Sequence, residues 1–224
     1  MALNKLKFNS LNVTPAASKG IGFNSSADGL EATFQGGDMR IIKKLTASSS
    51  STLSFVDGSS DVVLDNTFSE YMFMLNNIHP SASGDDAWLA FQGSTNTGSS
   101  YGVNITSTYF VNYSNEADDL QRAPTYRSQD DFHRNQETAF HRLTYQMSND
   151  NQICGAGFLH LFNPSSTTFA KHFIVHTVVE GHTNYTHHSF IAGYFNTTSA
   201  IDAIQFKMNS GNIDAGTITL YGIN

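Results

Sequence analysis

The stretch Ala203-Ile-Gln-Phe-Lys-Met-Asn209, Ser210-Gly-Asn-Ile-Asp-Ala-Gly216, Thr217-Ile-Thr-Leu-Tyr-Gly-Ile223 decides the fold class. In its first segment Ile204, Phe206 and Met208 alternate with Gln205, Lys207 and Asn209, the period-2 signature of a strand with one buried and one wet face. Ser210-Gly211-Asn212 carries turn chemistry, and Ile218 and Leu220 resume among threonines and Tyr221, as strand propensity favours. These two strands are expected to close the sheet on which the upstream chain is built.

Working back, strand-like segments recur from Met39 onward at short intervals, as in a sandwich or barrel. Arg40 to Thr46 and Thr52 to Val56 flank a serine run. The unbroken apolar run Tyr71-Met-Phe-Met-Leu75 predicts a central strand covered on both faces. Tyr101 to Tyr113 alternates apolar and polar positions, Thr138 to Met147 and Ile153 to Phe162 return to strand character, and Asn163-Pro-Ser-Ser166 should turn a hairpin into Thr168 to Val179. His188 to Phe195 precedes the C-terminal pair. About eleven strands result, joined by connections too short for parallel crossovers. The expectation is an all-β, antiparallel, jelly-roll-like β-sandwich over residues 38–224, preceded by an extended N-terminal arm, residues 1–37.

That arm carries Lys5, Lys7 and Lys19 and no acid up to residue 19, with Phe8 and Leu11 among apolar residues too sparse for a core. It is expected to become ordered by docking on its own sandwich or on another protein. A second break in composition spans residues 116–137, where Glu116, Asp118, Asp119, Arg122, Arg127, Asp130, Asp131, Arg134 and Glu137 crowd around Pro124. Without apolar periodicity it reads as a long excursion with a single helical turn near 128–135, and long excursions in compact domains carry function.

Composition narrows the function classes. With 224 residues, 39% of them hydrophobic, the chain can bury one sizeable core, while a charged content of 14% suits strands joined by uncharged turns. A net charge of −7 with twelve Lys and Arg and no basic stripe argues against a nucleic-acid partner. No window is long and apolar enough for a membrane span, so no membrane insertion is expected. The single Cys154 sits among Ile153, Gly155, Ala156 and Phe158 and reads as a buried thiol inside a strand.

Five histidines, His172, His176, His182, His187 and His188, raise a metal site. In a strand, however, His172 and His176 stand ~13 Å apart, too far to share an ion held at ~2 Å from each ring. His187 and His188 should face opposite ways. The adjacent pairs Asp118-Asp119 and Asp130-Asp131 raise glycan hydrolysis, but glycosidases set two carboxyls across a cleft, and adjacent residues in a charged loop read as solvated partners of arginines. Neither a phosphate loop nor a nucleophile elbow is present. No catalytic residue, metal or cofactor is expected. Exposed Tyr113, Tyr126 and Tyr185 suit sugar stacking or a subunit contact. With Asp118, Asp119, Arg122, Arg127, Arg134, His182 and His187 they form the candidate partner or receptor contacts, on the 116–137 and 180–188 loops.

Several blocks resemble a known family: Leu45 to Gly58, Phe68 to Tyr71, Asn77-Ile-His-Pro80, Leu159-His-Leu-Phe-Asn-Pro-Ser-Ser-Thr-Thr168, Ala192-Gly-Tyr-Phe-Asn-Thr-Thr-Ser199, and Ile204-Gln-Phe-Lys207 through Ser210-Gly-Asn-Ile213 to Leu220-Tyr-Gly-Ile223. So does the opening, Leu3 to Pro15. They are similar to a β-rich virion structural protein of marine tailed phages of the cyanophage and pelagiphage type. The similarity spans about residues 2–223 and is weakest at 83–100, 112–150 and 178–190. It implies localisation on the virion, at the tail or the capsid surface, contacts with other virion proteins, and a homo-oligomer, a trimer by analogy. It brings no catalytic residues. A tail-fibre or spike component meeting a host surface glycan is the leading expectation, with Lys5, Lys7, Phe8, Leu11 and Lys19 docking on the virion. A capsid decoration protein and a polysaccharide depolymerase are the alternatives.

Overall fold

The computed structural model describes residues 20–23, 26, 29–33, 39–84, 87–129, 132–181 and 184–224, and all regular structure among them is β. Lys5, Lys7, Phe8, Leu11 and Lys19 of the expected arm, Asp130, Asp131 and His182 lie outside the described residues. The chain divides into two units, Met1–Asp38 and Met39–Asn224. In the first, β1 (Gly20–Phe23) and β2 (Leu30–Thr33) pair antiparallel, Gly20 opposite Thr33.

The second unit is built from β3 (Met39–Thr46), β4 (Leu53–Val56), β5 (Glu70–Pro80), β6 (Leu89–Ser94), β7 (Ile105–Asn115), β8 (Gln121–Tyr126), β9 (Asn135–Glu137), β10 (His141–Arg142), β11 (Gly155–Phe162), β12 (Lys171–Glu180), β13 (Tyr185–Phe195), β14 (Ala203–Met208) and β15 (Ile213–Ile223). The larger sheet runs β3-β15-β5-β11-β12-β13-β7-β8, with β9 also on β7, and the smaller runs β10-β6-β14-β4. Every pairing is antiparallel. The expected all-β antiparallel sandwich is what forms.

Phenylalanines hold the two sheets together. From the smaller sheet Phe55, Phe91 and Phe206 meet Phe73, Phe173 and Phe195 of the larger one, with ring centroids 5.2 Å apart for Phe55 and Phe73, 5.4 Å for Phe73 and Phe206, and 5.1 Å for Phe91 and Phe173. All six are buried, and edge-to-face packing adds to the area each removes from water. Truncating any of them to alanine should cost about 3–5 kcal/mol. The run at Tyr71 sits centrally, as its unbroken apolar character requires: β5 lies between β15 and β11, with Tyr71, Met72, Phe73 and Leu75 buried. The β11–β12 hairpin also forms, closed by a bond from the Ser166 N–H to the Asn163 carbonyl at 3.1 Å.

The C-terminal pair departs from expectation. β14 and β15 do not close one sheet; they belong to opposite sheets, and Asn209 to Asn212 arches between the layers. The Thr46 to Leu53 connection arches beside it, because β3 pairs with β15 and β4 with β14. The two arches are stitched by paired backbone bonds between Ser50 and Ile213, 2.8 and 2.9 Å, and by the Ser49 hydroxyl on Asp214, 2.7 Å. Further along, β15 must bend against β5. Gly216 takes a φ of +111°, and a Cβ there would lie 2.4 Å from the Asn77 carbonyl oxygen, so only glycine fits that irregularity of the register.

Other segments also differ. Residues 116–137 are not one excursion, since β8 and β9 both pair with β7; the Phe132 N–H bonds the Gln129 carbonyl at 3.0 Å within the segment of the expected helical turn. Thr138 to Met147 contains only the two residues of β10 as strand, its backbone otherwise being irregular. Cys154 precedes β11 and is half-buried, because the strand starts at Gly155. The expected loop at 180–188 shrinks to Gly181–Asn184, so that Tyr185 and His187 are strand residues.

Candidate functional site

The strands of the larger sheet outrun those they face: β7 and β13 have eleven residues each, β6 and β14 six each. Tyr109 and Val111 on β7 are buried in the core, but the next inward position, Tyr113, is half-buried; on β13 the series Ile191, Ser189, His187 ends in half-buried Tyr185. The alternation that packs the core therefore carries rings past its end. Tyr113 stands in register with His187, and Tyr185 packs edge-on to Tyr113 at 5.6 Å.

Tyr145, from the irregular segment after β10, closes this cluster from the other side. Its ring stacks on the His187 imidazole, and two arginines steady it from behind. Arg127 donates from Nη2 to the Tyr145 hydroxyl at 3.0 Å and lies over the Phe132 ring at 4.7 Å. Arg142, buried, lies 4.0 Å from the Phe132 ring centroid, 5.0 Å from that of Trp88 and 5.4 Å from that of Tyr145, and donates from Nε to the Thr144 carbonyl at 2.9 Å. Ring quadrupoles replace part of the hydration a buried guanidinium loses. The neighbouring Tyr109 hydroxyl, 2.7 Å from Ser189 Oγ, is pushed up to about 12 by burial.

Two adjoining depressions open here and share Tyr185. One, of about 240 Å³, is lined by Tyr113, Leu120, Tyr145, Gln146, Tyr185 and His187. The other, of about 330 Å³, is lined by Ser114, Asn115, Glu116, Glu180, Asn184, Tyr185 and Thr186. Aromatic faces in the first and carboxylate, amide and hydroxyl groups in the second form a surface able to stack a sugar ring and bond its hydroxyls.

The structure thus brings together Tyr113, Tyr185 and His187 of the expected contact residues, although His187 is buried and serves as wall rather than as exposed contact. Asp118 and Asp119 lie exposed on the turn that borders Leu120, and amides hold them instead of the expected arginines: Gln121 donates to Asp118 and Asn115 to Asp119. Arg122 is exposed on β8. Arg127 supports the site from beneath. Tyr126 lies outside the cluster, against Phe110 at 5.2 Å on the outward face of the sheet. Arg134 is not an exposed contact: it is buried, bonding Glu137 Oε2 at 3.0 Å and the Phe140 carbonyl at 2.6 Å, and so pins the β9 segment. Tyr145 and Gln146 were not legible as site residues, since they sit in a segment that reads as ordinary strand. No group of three or more metal-ligating side chains gathers among the described residues. No family model, curated protein or solved structure matches the chain.

Proposed function

We propose that the chain is a non-enzymatic structural protein of a tailed-phage virion, a tail-fibre or spike component whose Tyr113–Tyr185 depression binds a host surface glycan. One observation carries this reading. The depressions draw on residues 113–116, 120, 145–146, 180 and 184–187, and every one of these falls within the stretches 112–150 and 178–190 where the resemblance to marine phage virion proteins is weakest. The resembling blocks supply the frame instead, among them β11, β14 and β15. A shared scaffold presenting a divergent site is the division of labour a host-recognition module requires.

The strand order supports the jelly-roll form of the sandwich. β3-β15-β5 of the larger sheet and β4-β14-β6 of the smaller run in matching order, linked by the crossings from β3 to β4, from β5 to β6 and from β14 to β15, as in strands wound into Greek keys.

Two measurements test the proposal. Immunogold on intact particles should label the tail; gold spread over the head would make the chain a decoration protein. Saturation-transfer NMR with polysaccharide from host cells should show sugar contact that is lost in Tyr113→Ala and Tyr185→Ala, and undiminished contact in both variants would remove the glycan site.

A further inference from the structure

The outward face of the larger sheet carries a band of rings. Met74, Phe158, His176, Phe190, Phe110 and Tyr126 stand in register across six strands. Neighbouring rings touch in two groups, Phe158 with His176 at 5.3 Å and His176 with Phe190 at 4.9 Å, and Phe110 with Tyr126 at 5.2 Å. Beside them Ile174 and Val178 are 42% and 46% exposed. Cross-strand pairing explains why such residues suit a sheet. It does not explain so much apolar surface left facing water, which in soluble monomers is uncommon and marks a contact.

Next to the band lies a depression of about 430 Å³ walled by Phe162, His172, Ile174 and Tyr194, where Ala192 offers no side chain large enough to fill it. The hairpin loop that joins β11 to β12, from Phe162 to Lys171 next to His172, holds Phe169, which is 69% exposed. That loop is braced: Ser166 Oγ accepts from the N–H groups of Thr168 at 3.2 Å and Phe169 at 3.1 Å, and the Ile201 N–H bonds the Pro164 carbonyl at 2.8 Å. A phenyl ring is therefore held out in water within one hairpin of an unfilled apolar hollow.

An apolar knob and an apolar hole on one chain are the two halves of a contact between copies. Charge favours the same occupant. Positions 172–178 of β12 and 186–194 of β13 carry no Asp, Glu, Lys or Arg in a chain of net charge −7, so repulsion between copies is least here and a cationic partner would find nothing to pair with. Six strands at about 4.8 Å spacing and about ten residues at about 3.3 Å each give a face of about 900 Å², the scale one partner contributes to a stable interface.

We propose that this face joins copies of the chain, with Phe169 of one copy seated in the hollow beside Ile174 and Tyr194 of the next. The inference names a surface for the homo-oligomer that the resemblance implies and holds whether or not the chain sits in a virion. Sedimentation velocity of the whole chain over a range of concentrations tests it. Wild type should associate, and Phe169→Ser and Ile174→Glu should each weaken association by about tenfold or more, with circular dichroism unchanged because both side chains are exposed. A natively folded wild type that stays monomeric at every concentration, with the face left to another protein or to the N-terminal unit, would overturn the proposal. So would an oligomer whose dissociation constant is the same in both variants.

Discussion

The imidazole of His187 lies flat on the ring of Tyr145, with centroids 4.2 Å apart and planes 14° from parallel. His187 belongs to β13, whereas Tyr145 comes from a segment with little strand pairing of its own, so this stack fastens that segment to the sheet and makes one wall of the candidate site. Tyr145→Ala should abolish glycan contact and lower stability by about 1–3 kcal/mol. Tyr145→Phe keeps the ring, loses only the bond from Arg127, and should retain most of the binding. Saturation-transfer NMR and thermal melts on the two variants check this.

Arg134 is expected to govern the order of the β9 segment. Replacing it by alanine removes bonds to Glu137 and to the Phe140 carbonyl from a buried position. Charge-assisted bonds of this kind contribute about 1.5–3 kcal/mol each. Hydrogen exchange should quicken at residues 135–140 in Arg134→Ala while β5 and β11 stay protected.

His141 makes the fold sensitive to acid. The ring is fully buried against Phe91 and Phe173, and among the described residues neither nitrogen has a hydrogen-bond partner. Burial, followed by the nearby charge of Arg134, pushes it down to about 3. The folded state thus keeps His141 neutral where the unfolded chain takes up a proton. Its contribution is complete above the ordinary value of 6.5 and is lost as pH falls from there towards 3. The cost at pH 5 relative to pH 7.5 should be about 2 kcal/mol. His141→Phe should raise the Tm at neutral pH and flatten its decline in acid, as melts at the two pH values would read.

Acid should also loosen contacts between copies. Burial holds the His160 and His188 imidazoles below their ordinary value and the charge of His176 adds to this in both, while Glu70 opposes it for His160. A covering partner favours the neutral rings further. Proton uptake by these two rings, below their ordinary range, places like charges on one face, so the dissociation constant should rise as pH falls from 7.5 to 5. The rise should shrink in His188→Gln, measured by sedimentation.

Much of the sheet was legible because alternation writes burial into sequence. In β12 Phe173, Val175, Thr177 and Val179 face the core and His172, Ile174, His176 and Val178 face out. The same logic placed His187 and His188 on opposite faces. β8 escaped notice because every one of its residues is exposed, which leaves no burial pattern to read, and its Pro124 looked like a loop residue. Proline is tolerated on an edge strand, and here it falls where the register with β7 slips between Val111 and Tyr113. Ser210-Gly211-Asn212 was recognised as a reversal, but a turn within a sheet and an arch between sheets use the same residues, so which sheet receives β15 depends on distant partners such as Leu45. The candidate site was half visible. Tyr113 and Tyr185 lie on strands with a readable period, while Tyr145 is positioned by side-chain contacts with Arg127, Phe132, Arg142 and His187.

The paired arches also bear on how the unit can be made. Among the described residues β3 pairs only with β15, and β4 only with β14. The earliest strands to emerge in synthesis must wait for the latest, and β15 then has to enter between β3 and β5 rather than add at an edge. Until it does, the edges of β3 and β5 stand open, the condition in which nascent β chains mispair or aggregate. Loops of that length close slowly. Shortening the chain within β15 should therefore abolish folding altogether rather than trim one margin of the sheet.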